Sequence, residues 1–278
     1  MRYIVAVSGG IDSVVLLDLM SRTEKDLVVA HFDHGIREDS ASDARFVEAL
    51  ADKYKIQFVC RREKLGPGAS EELARQRRYE FLRGVAADFD GMIVTAHHRE
   101  DIIETVAMNL TRGSRWRGLA GMSDSEIARP LNGWTKQRIY EYAIRQKLEW
   151  CEDETNQSDA YQRNRFRRRI NCELDEYQKA GVYEVWRQQR KLRIEIEQEL
   201  ERFDDVVNSR YFLTMIDDNV AQELIYCHIL RHYDVSLLGS QLERALIAIK
   251  TGKPGSCWQI GGGIMMKLTM RDVIIDRV

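Results

Sequence analysis

Along the first hundred residues the hydrophobic pattern alternates between two periods. Short, continuous apolar runs at 3–7, 27–33, 56–60 and 91–96 are the signature of strands buried on both faces. Between them apolar positions recur at helical spacing: Val14 to Leu17, Leu19 and Met20; then Ala44, Val47, Leu50, Ala51 and Tyr54; then Ala74, Tyr79 and Leu82. Ser40 and Ser70-Glu71-Glu72-Leu73 open two of these helices, Gly66-Pro67-Gly68 breaks the chain, and 97–101 begins another. Strand alternating with helix predicts an α/β fold built on a doubly wound parallel sheet with right-handed crossovers. Ligands of such sheets bind beyond the C-terminal strand ends. The polar tails 8–13, 31–34 and 97–101 all fall there.

The pattern then changes. Ile139, Tyr142, Ala143 and Leu148 predict a helix, and residues 152–156 a polar loop. From 182 to 202 Val185, Trp186, Leu192, Ile196 and Leu200 stripe a highly charged segment, which also carries Arg187, Arg190, Lys191 and Arg193; this predicts a long amphipathic linker helix. Helices follow near 218–233 and 239–250, then a hairpin across Gly261-Gly262-Gly263 and a last strand at 273–275. The expected division is a catalytic domain, 1–182, and a small, mostly helical C-terminal domain, 183–278.

With 278 residues there is room for both. Net charge is −2, so a nucleic-acid surface has to be a local patch. The candidate is Arg163, Arg165, Arg167, Arg168 and Arg169 with Phe166. Such a run is usually a solvated face; in a slightly acidic chain it reads instead as a contact for tRNA phosphates or ATP. The five cysteines form no Cys-x-x-Cys pair, which argues against zinc-ribbon and iron–sulfur sites. A first strand starting near residue 2 leaves no room for a targeting segment, and no apolar run reaches the ~20 residues of a membrane span. A cytoplasmic enzyme is expected.

Chemistry concentrates in Ser8-Gly9-Gly10-Ile11-Asp12-Ser13, between the first strand and the first helix. Two glycines let the backbone approach an oxyanion, and the helix N-terminus turns N–H groups and a partial positive charge towards it. Ser8 and Ser13 offer hydroxyls. Asp12 would repel phosphate unless a cation bridged them, which implies Mg²⁺ between Asp12 and a polyphosphate. No Gly-Lys-Ser/Thr follows, so this is not a Walker A loop. The competing reading is an ordinary turn with Asp12 or Ser13 as helix cap; the strand–turn–helix context favours phosphate. His97, Asp101 and Glu104, at i, i+4 and i+7, would share one helix stripe. They read either as chemistry beside a nucleotide or as acids suited to a solvated first turn. A metal-dependent hydrolase using His31, Asp33, His34, His97 and His98 is a weaker alternative.

The hexapeptide resembles the PP-loop of the N-type ATP pyrophosphatases, a Rossmann-like superfamily that places AMP on a carbonyl-like oxygen. A closer resemblance rests on His31-Phe32-Asp33-His34-Gly35-Ile36-Arg37, Ala74-Arg75 with Arg78-Tyr79, and Thr95-Ala96-His97-His98. It continues through Asp101, Glu104-Thr105, Thr111-Arg112-Gly113, Gly118 to Met122, Arg129-Pro130-Leu131 and Arg163-Asn164-Arg165-Phe166-Arg167. Over roughly residues 1–170 the chain is similar to the tRNA(Ile)-lysidine synthetase branch. It departs at Glu100, where Asp is usual, at Arg115-Trp116 and at Asn132. The resemblance implies ATP-dependent adenylation of the wobble cytidine in the CAU anticodon of an isoleucine tRNA. The ε-amine of L-lysine then attacks, and AMP and pyrophosphate are released. It further implies ATP on residues 8–13 with Asp33 and Arg165, Mg²⁺ on Asp12, and Asp101 and Glu104 with His97 handling the lysine ammonium. Arg112 would steady the AMP phosphate or the tRNA, the C-terminal domain would contact tRNA, and a homodimer is implied because some relatives form one. Longer members carry one more C-terminal domain, before which this chain is expected to end. The rivals are a tRNA thiolase, expected to show a Cys-x-x-Cys pair or a catalytic cysteine near the site, neither of which this sequence shows; a small-molecule adenylating synthetase; and a tRNA-binding protein with an inactive PP-loop.

Overall fold

The computed structural model describes residues 1–24, 26–35, 40–64, 66, 70–122, 126–151 and 162–278. The expected loop at 152–156, Ile36-Arg37, Pro67-Gly68 and the Asn164 side chain lie outside that description. The chain divides into two units, Met1–Arg187 and Gln188–Val278.

In the first unit β1 (Arg2–Ala6), α1 (Ile11–Thr23), β2 (Leu27–Asp33), α2 (Ser40–Tyr54), β3 (Gln57–Arg62), α3 (Glu71–Phe89), β4 (Gly91–Val94) and α4 (Arg99–Thr111) alternate. There follow a short α5 (Trp116–Leu119), β5 (Ile127–Ala128), α6 (Lys136–Arg145) and α7 (Gln162–Glu173); α8 (Glu176–Glu201) begins here and ends in the second unit. The five strands form one parallel sheet in the order β3-β2-β1-β4-β5. The pleat explains the continuous apolar runs. Val5, Val7, Leu27, Val29 and Val94 pack with α1, α2 and α6, through Leu17, Val47, Leu50, Ile139 and Tyr142. Their alternating neighbours Ile4, Val28, Ala30, Phe32 and Ile93 pack with Tyr79, Phe81, Leu82 and Val85 of α3. Both faces of the central strands are covered, so their positions are apolar on both sides, whereas the edge strand β3 is largely exposed. The order reverses between β1 and β4, where doubly wound sheets open a crevice.

Three features depart from expectation. The strand β5 and helix α5 were not anticipated, since two and four residues are too short for a periodic signal. The linker helix starts at Glu176 rather than near 182. Its first half is anchored by Trp186, which packs with Ile102 and Val106 and whose Nε1–H donates to the Gly121 carbonyl at 2.8 Å.

The second unit holds a 3₁₀ turn (Asp204–Val206), α9 (Arg210–Met215), α10 (Asp218–Tyr233), α11 (Gly239–Thr251) and an antiparallel sheet of β6 (Cys257–Gly261), β7 (Ile264–Leu268) and β8 (Val273–Arg277). Leu224, Ile225 and Ile229 of α10 pack with Leu246 and Ile249 of α11, and with Ile264, Met266 and Val273 of the sheet. Gly262 and Gly263, both at positive φ, turn the β6–β7 hairpin. Among the described residues no helix is long and apolar enough to cross a membrane.

Candidate active site

The turn after β1 is built from its own residues. Gly9 sits at φ +93°, in the left-handed region, and Gly10 is the N-cap of α1 with no side-chain cap. The helix end therefore presents backbone N–H groups beyond β1. The Ser13 hydroxyl donates to the Gly10 carbonyl at 2.8 Å and accepts from the Ser8 N–H at 3.2 Å. Ser13 is buried and its hydroxyl shapes the turn, whereas Ser8 is exposed. The Ile11 contribution is backbone, as the first residue of α1. Buried His31 steadies the turn from β2, its Nδ1 lying 2.8 Å from the Val7 carbonyl oxygen.

Asp12 does not stand alone. Both of its oxygens accept from Lys136 Nζ, at 2.6 and 2.8 Å, and His98 Nε2 lies 3.9 Å from Oδ1. Lys136 escaped the sequence reading. It opens α6 after Thr135, whose side chain caps the helix. A cation in a first turn opposes the helix dipole, and that was the one available signal. Helices α1 and α6 run alongside each other at a constant offset: Asp12 meets Lys136, Asp18 meets Tyr142, and Arg22 meets Gln146.

Across the switch point, β4 leads into α4. The helix starts at Arg99, so His97 precedes it, and the expected helical stripe of three reduces to Asp101 and Glu104. The reason is capping: Asp101 Oδ2 accepts from the His98 N–H at 3.0 Å, which holds His98 in extended backbone as the N-cap. His97 Nδ1 instead hydrogen-bonds Thr95 Oγ1 at 2.8 Å. Burial pushes His97 well below the usual imidazole range, and Arg129, Arg163 and Arg78 push the same way against Asp101. For His98, burial is outweighed by the Glu100 hydrogen bond and by the Asp101 and Asp12 charges, which raise it. Glu100 accepts from His98 Nδ1 at 2.9 Å and from the Lys136 backbone N–H at 3.1 Å, tying α4 to α6.

The arginine run of α7 is split between two faces, because successive helical residues turn by about 100°. Arg163 donates to Asp101 Oδ1 and Glu104 Oε2, both at 2.9 Å; Arg167 donates to Glu104 at 2.6 and 3.2 Å. Glu104 is 1% exposed. Burial alone would raise Asp101, but His98, Arg163 and His97 hold it far below the ordinary carboxylate value. Arg165, Arg168 and Arg169 are exposed. Arg112 is not brought to this cluster: it is the C-cap of α4, eleven residues beyond Asp101 and so about 16 Å along the helix. Asp33 closes the end of β2, accepting from the Gly35 N–H at 2.8 Å and pairing with Arg62 at 3.2 Å. His31, Asp33, His34, His97 and His98 do not converge as a ligand group among the described residues.

One residue set aside in the sequence does meet the turn. The Cys151 N–H donates to the Gly9 carbonyl at 3.0 Å, and its Sγ lies 3.5 Å from where a Gly9 side chain would start. A cysteine beside the loop is thus present, contrary to expectation; it lies 142 residues from Gly9 in sequence, which hid it.

A family profile for the PP-loop domain matches residues 1–174. The chain belongs to the PP-loop family. It is 37% identical over 204 residues to the tRNA(Ile)-lysidine synthase of Exiguobacterium sibiricum, covering 70% of this chain and 49% of that protein. It is also 37% identical over 195 residues to the protein of the same name from a Synechococcus species, covering 63% and 60%. The chain thus spans about half to three fifths of these relatives. Among solved structures, the U34-tRNA thiolase NcsA of Methanococcus maripaludis matches 69% of this chain and 71% of its own, with a TM-score of 0.57 at 18% identity. That likeness is one of fold. The geometry described above is the PP-loop: strand, Gly9-Gly10 turn and uncapped helix, with Asp12 at its mouth.

Proposed function

We propose that this chain is a tRNA(Ile)-lysidine synthetase. It would use ATP to adenylate the C2 oxygen of the wobble cytidine in a CAU-anticodon isoleucine tRNA, then join the ε-amine of L-lysine to C2. The carrying observation is that His98, across the switch point, lies 3.9 Å from Asp12 of the PP-loop and 3.5 Å from Asp101 of α4, in a chain whose matched relatives bear that name.

Residues 8–13 would receive the phosphates of ATP. Ser8 and the N–H groups at the start of α1 donate to the leaving pyrophosphate, and Lys136 neutralises charge there. Asp12 fits Mg²⁺: its hard carboxylate oxygens already hold a cation at the mouth of the loop, and Mg²⁺ takes one or two carboxylates plus phosphate oxygens. When bound, the ion would offset charge on the pyrophosphate as the Pα–O bond breaks. Asp101 and Glu104 would orient the lysine ammonium. The guanidinium groups of Arg163 and Arg167 already lie on their oxygens, so the ammonium would share these acids with them. His97, kept neutral by burial, adds no positive charge against the cytidine. Asp33 and Arg165 would contribute to ATP binding. Arg112, at the far end of α4, suits a tRNA phosphate better than the AMP phosphate, and Arg165, Arg168 and Arg169 offer the basic patch that an acidic chain needs. The second unit, with the last turns of α8, would extend the tRNA contact.

The test is incorporation of labelled L-lysine into an unmodified CAU-anticodon isoleucine tRNA transcript with ATP and Mg²⁺. Asp12→Asn should lower incorporation about a hundred- to a thousandfold while moving the melting temperature little, since its ion pair is partly exposed to solvent. Asp101→Asn should abolish the lysine step. Cys151→Ser should leave incorporation intact. Pyrophosphate release without lysine transfer, accompanied by sulfur incorporation into the tRNA that is lost in Cys151→Ser, would instead support the thiolase chemistry.

A further inference from the structure

The second unit gathers three ligating side chains. His228 and His232 stand at i and i+4 on α10, with ring centroids 4.4 Å apart. Asp204, in the 3₁₀ turn, faces both: Oδ1 lies 3.0 Å from His228 Nδ1 and Oδ2 lies 2.7 Å from His232 Nε2. One ligand atom from each lies within 4.8 Å of the others, the sole such group among the described residues. Side-chain exposure grades from 11% at His228 through 21% at Asp204 to 46% at His232. The cluster borders a groove of about 600 Å³ lined by Asn208, Tyr233, Asp272 and Ile274 among others.

We propose that Asp204, His228 and His232 form a binding site for a divalent transition-metal ion of the zinc class, with water completing the coordination from the groove. Two imidazoles at i, i+4 present nitrogens from one helix face, as in helical zinc sites, and a carboxylate from a separate segment supplies the third ligand. Ligands on a tetrahedral zinc with bonds of about 2.0–2.1 Å stand about 3.3 Å apart. The present N···O separations are a few tenths of an ångström shorter, so small side-chain rotations open the site. The ion would replace the proton now shared in each N···O contact, and each neutral ring would carry its proton on the other nitrogen. Arg231 approaches Asp204 Oδ1 at 3.4 Å and also faces Glu201 at 3.6 Å, so its charge is already partly balanced. Imidazole and carboxylate ligands suit Zn²⁺, Co²⁺ and Ni²⁺ better than Mg²⁺ or Ca²⁺. The alternative is a purely structural clasp, in which Asp204 hydrogen-bonds two histidines to fix the 3₁₀ turn on α10.

Full-length protein stripped by chelator would be titrated with Zn²⁺ in competition with a chromophoric chelator, and separately with Co²⁺ by visible absorption. One equivalent should bind, with cobalt bands of a nitrogen–oxygen site that lack thiolate charge transfer, and Zn²⁺ should raise the melting temperature. His232→Gln removes the most exposed ligand and should fold normally. It should weaken Zn²⁺ binding by more than the roughly 10–100-fold that losing an outer partner costs, and abolish the thermal shift. His228→Gln should do the same. Absence of stoichiometric binding would overturn the site and leave the clasp. So would binding that survives both variants but disappears when the cysteines are alkylated.

Discussion

At the scale of single residues, the turn after β1 shows how little freedom a phosphate loop has. Gly9 is held at φ +93°. A side chain there would meet Cys151 and Val47 only at ordinary contact distance, 3.5 Å, so the constraint is the dihedral and not space. Gly9→Ala should therefore cost about 1–3 kcal/mol of stability, and a larger share of ATP affinity, because the strain is relieved by moving the N–H groups that face the ligand. Denaturant melts and nucleotide titration on the same variant separate the two. Sequence made Gly9 legible, since a Gly-Gly pair between an apolar strand and an apolar helix has few other uses. Lys136 was not legible. Nothing within several residues of it points to Asp12, and its partner lies 124 positions away.

At the scale of elements, the site is held by helices that meet at their N-termini. Asp18 is buried in α1 and accepts from Tyr54 of α2 and Tyr142 of α6 at 2.7 Å each, and from Arg22 at 2.9 Å. Burial raises Asp18, but the Arg22, Tyr142 and Tyr54 hydrogen bonds outweigh it and lower it overall. Asp18→Ala should cost about 2–4 kcal/mol. The two tyrosine hydroxyls supply most of this, because Arg22 is half exposed and its charge is screened. A carboxylate lowered on folding stabilises the fold above its unfolded value of about 4 and loses that contribution as pH falls through the lower folded value. The stability gap between wild type and Asp18→Ala should accordingly be constant near neutrality and shrink below about pH 4, which melts at stepped pH would reveal. Glu104 is more severe. It is buried under two arginines, and Glu104→Ala strands them, at about 3–5 kcal/mol. The helix α4 was legible from the polar segment that follows the fourth strand, but not its starting residue, because the side chain that sets it, Asp101, also reads as a catalytic acid.

At the scale of the molecule, the charge of −2 conceals a division of labour within one arginine run. Arg163 and Arg167 neutralise buried acids, whereas Arg165, Arg168 and Arg169 lie exposed on the other side of the helix, Arg169 beside Glu173 at 3.2 Å. Arg165→Ala should weaken tRNA binding and reduce the slope of log K against log salt by about 0.7–0.9, with little change in melting temperature. Arg163→Ala should instead destabilise the first unit. Filter binding across a salt series, set beside thermal melts, distinguishes the two classes.

The sequence by itself determined the alternation of strand and helix, the phosphate-binding turn and the branch of the family it resembles. Each of those is written in residues close along the chain, through side-chain period, glycine dihedrals and helix ends. Only the tertiary structure decided which charges meet. Lys136 on Asp12, Arg163 on Asp101, Cys151 at Gly9 and Asp204 between two histidines join segments from 24 to 142 residues apart. Such pairings follow from strand order and helix offset, which no local pattern encodes.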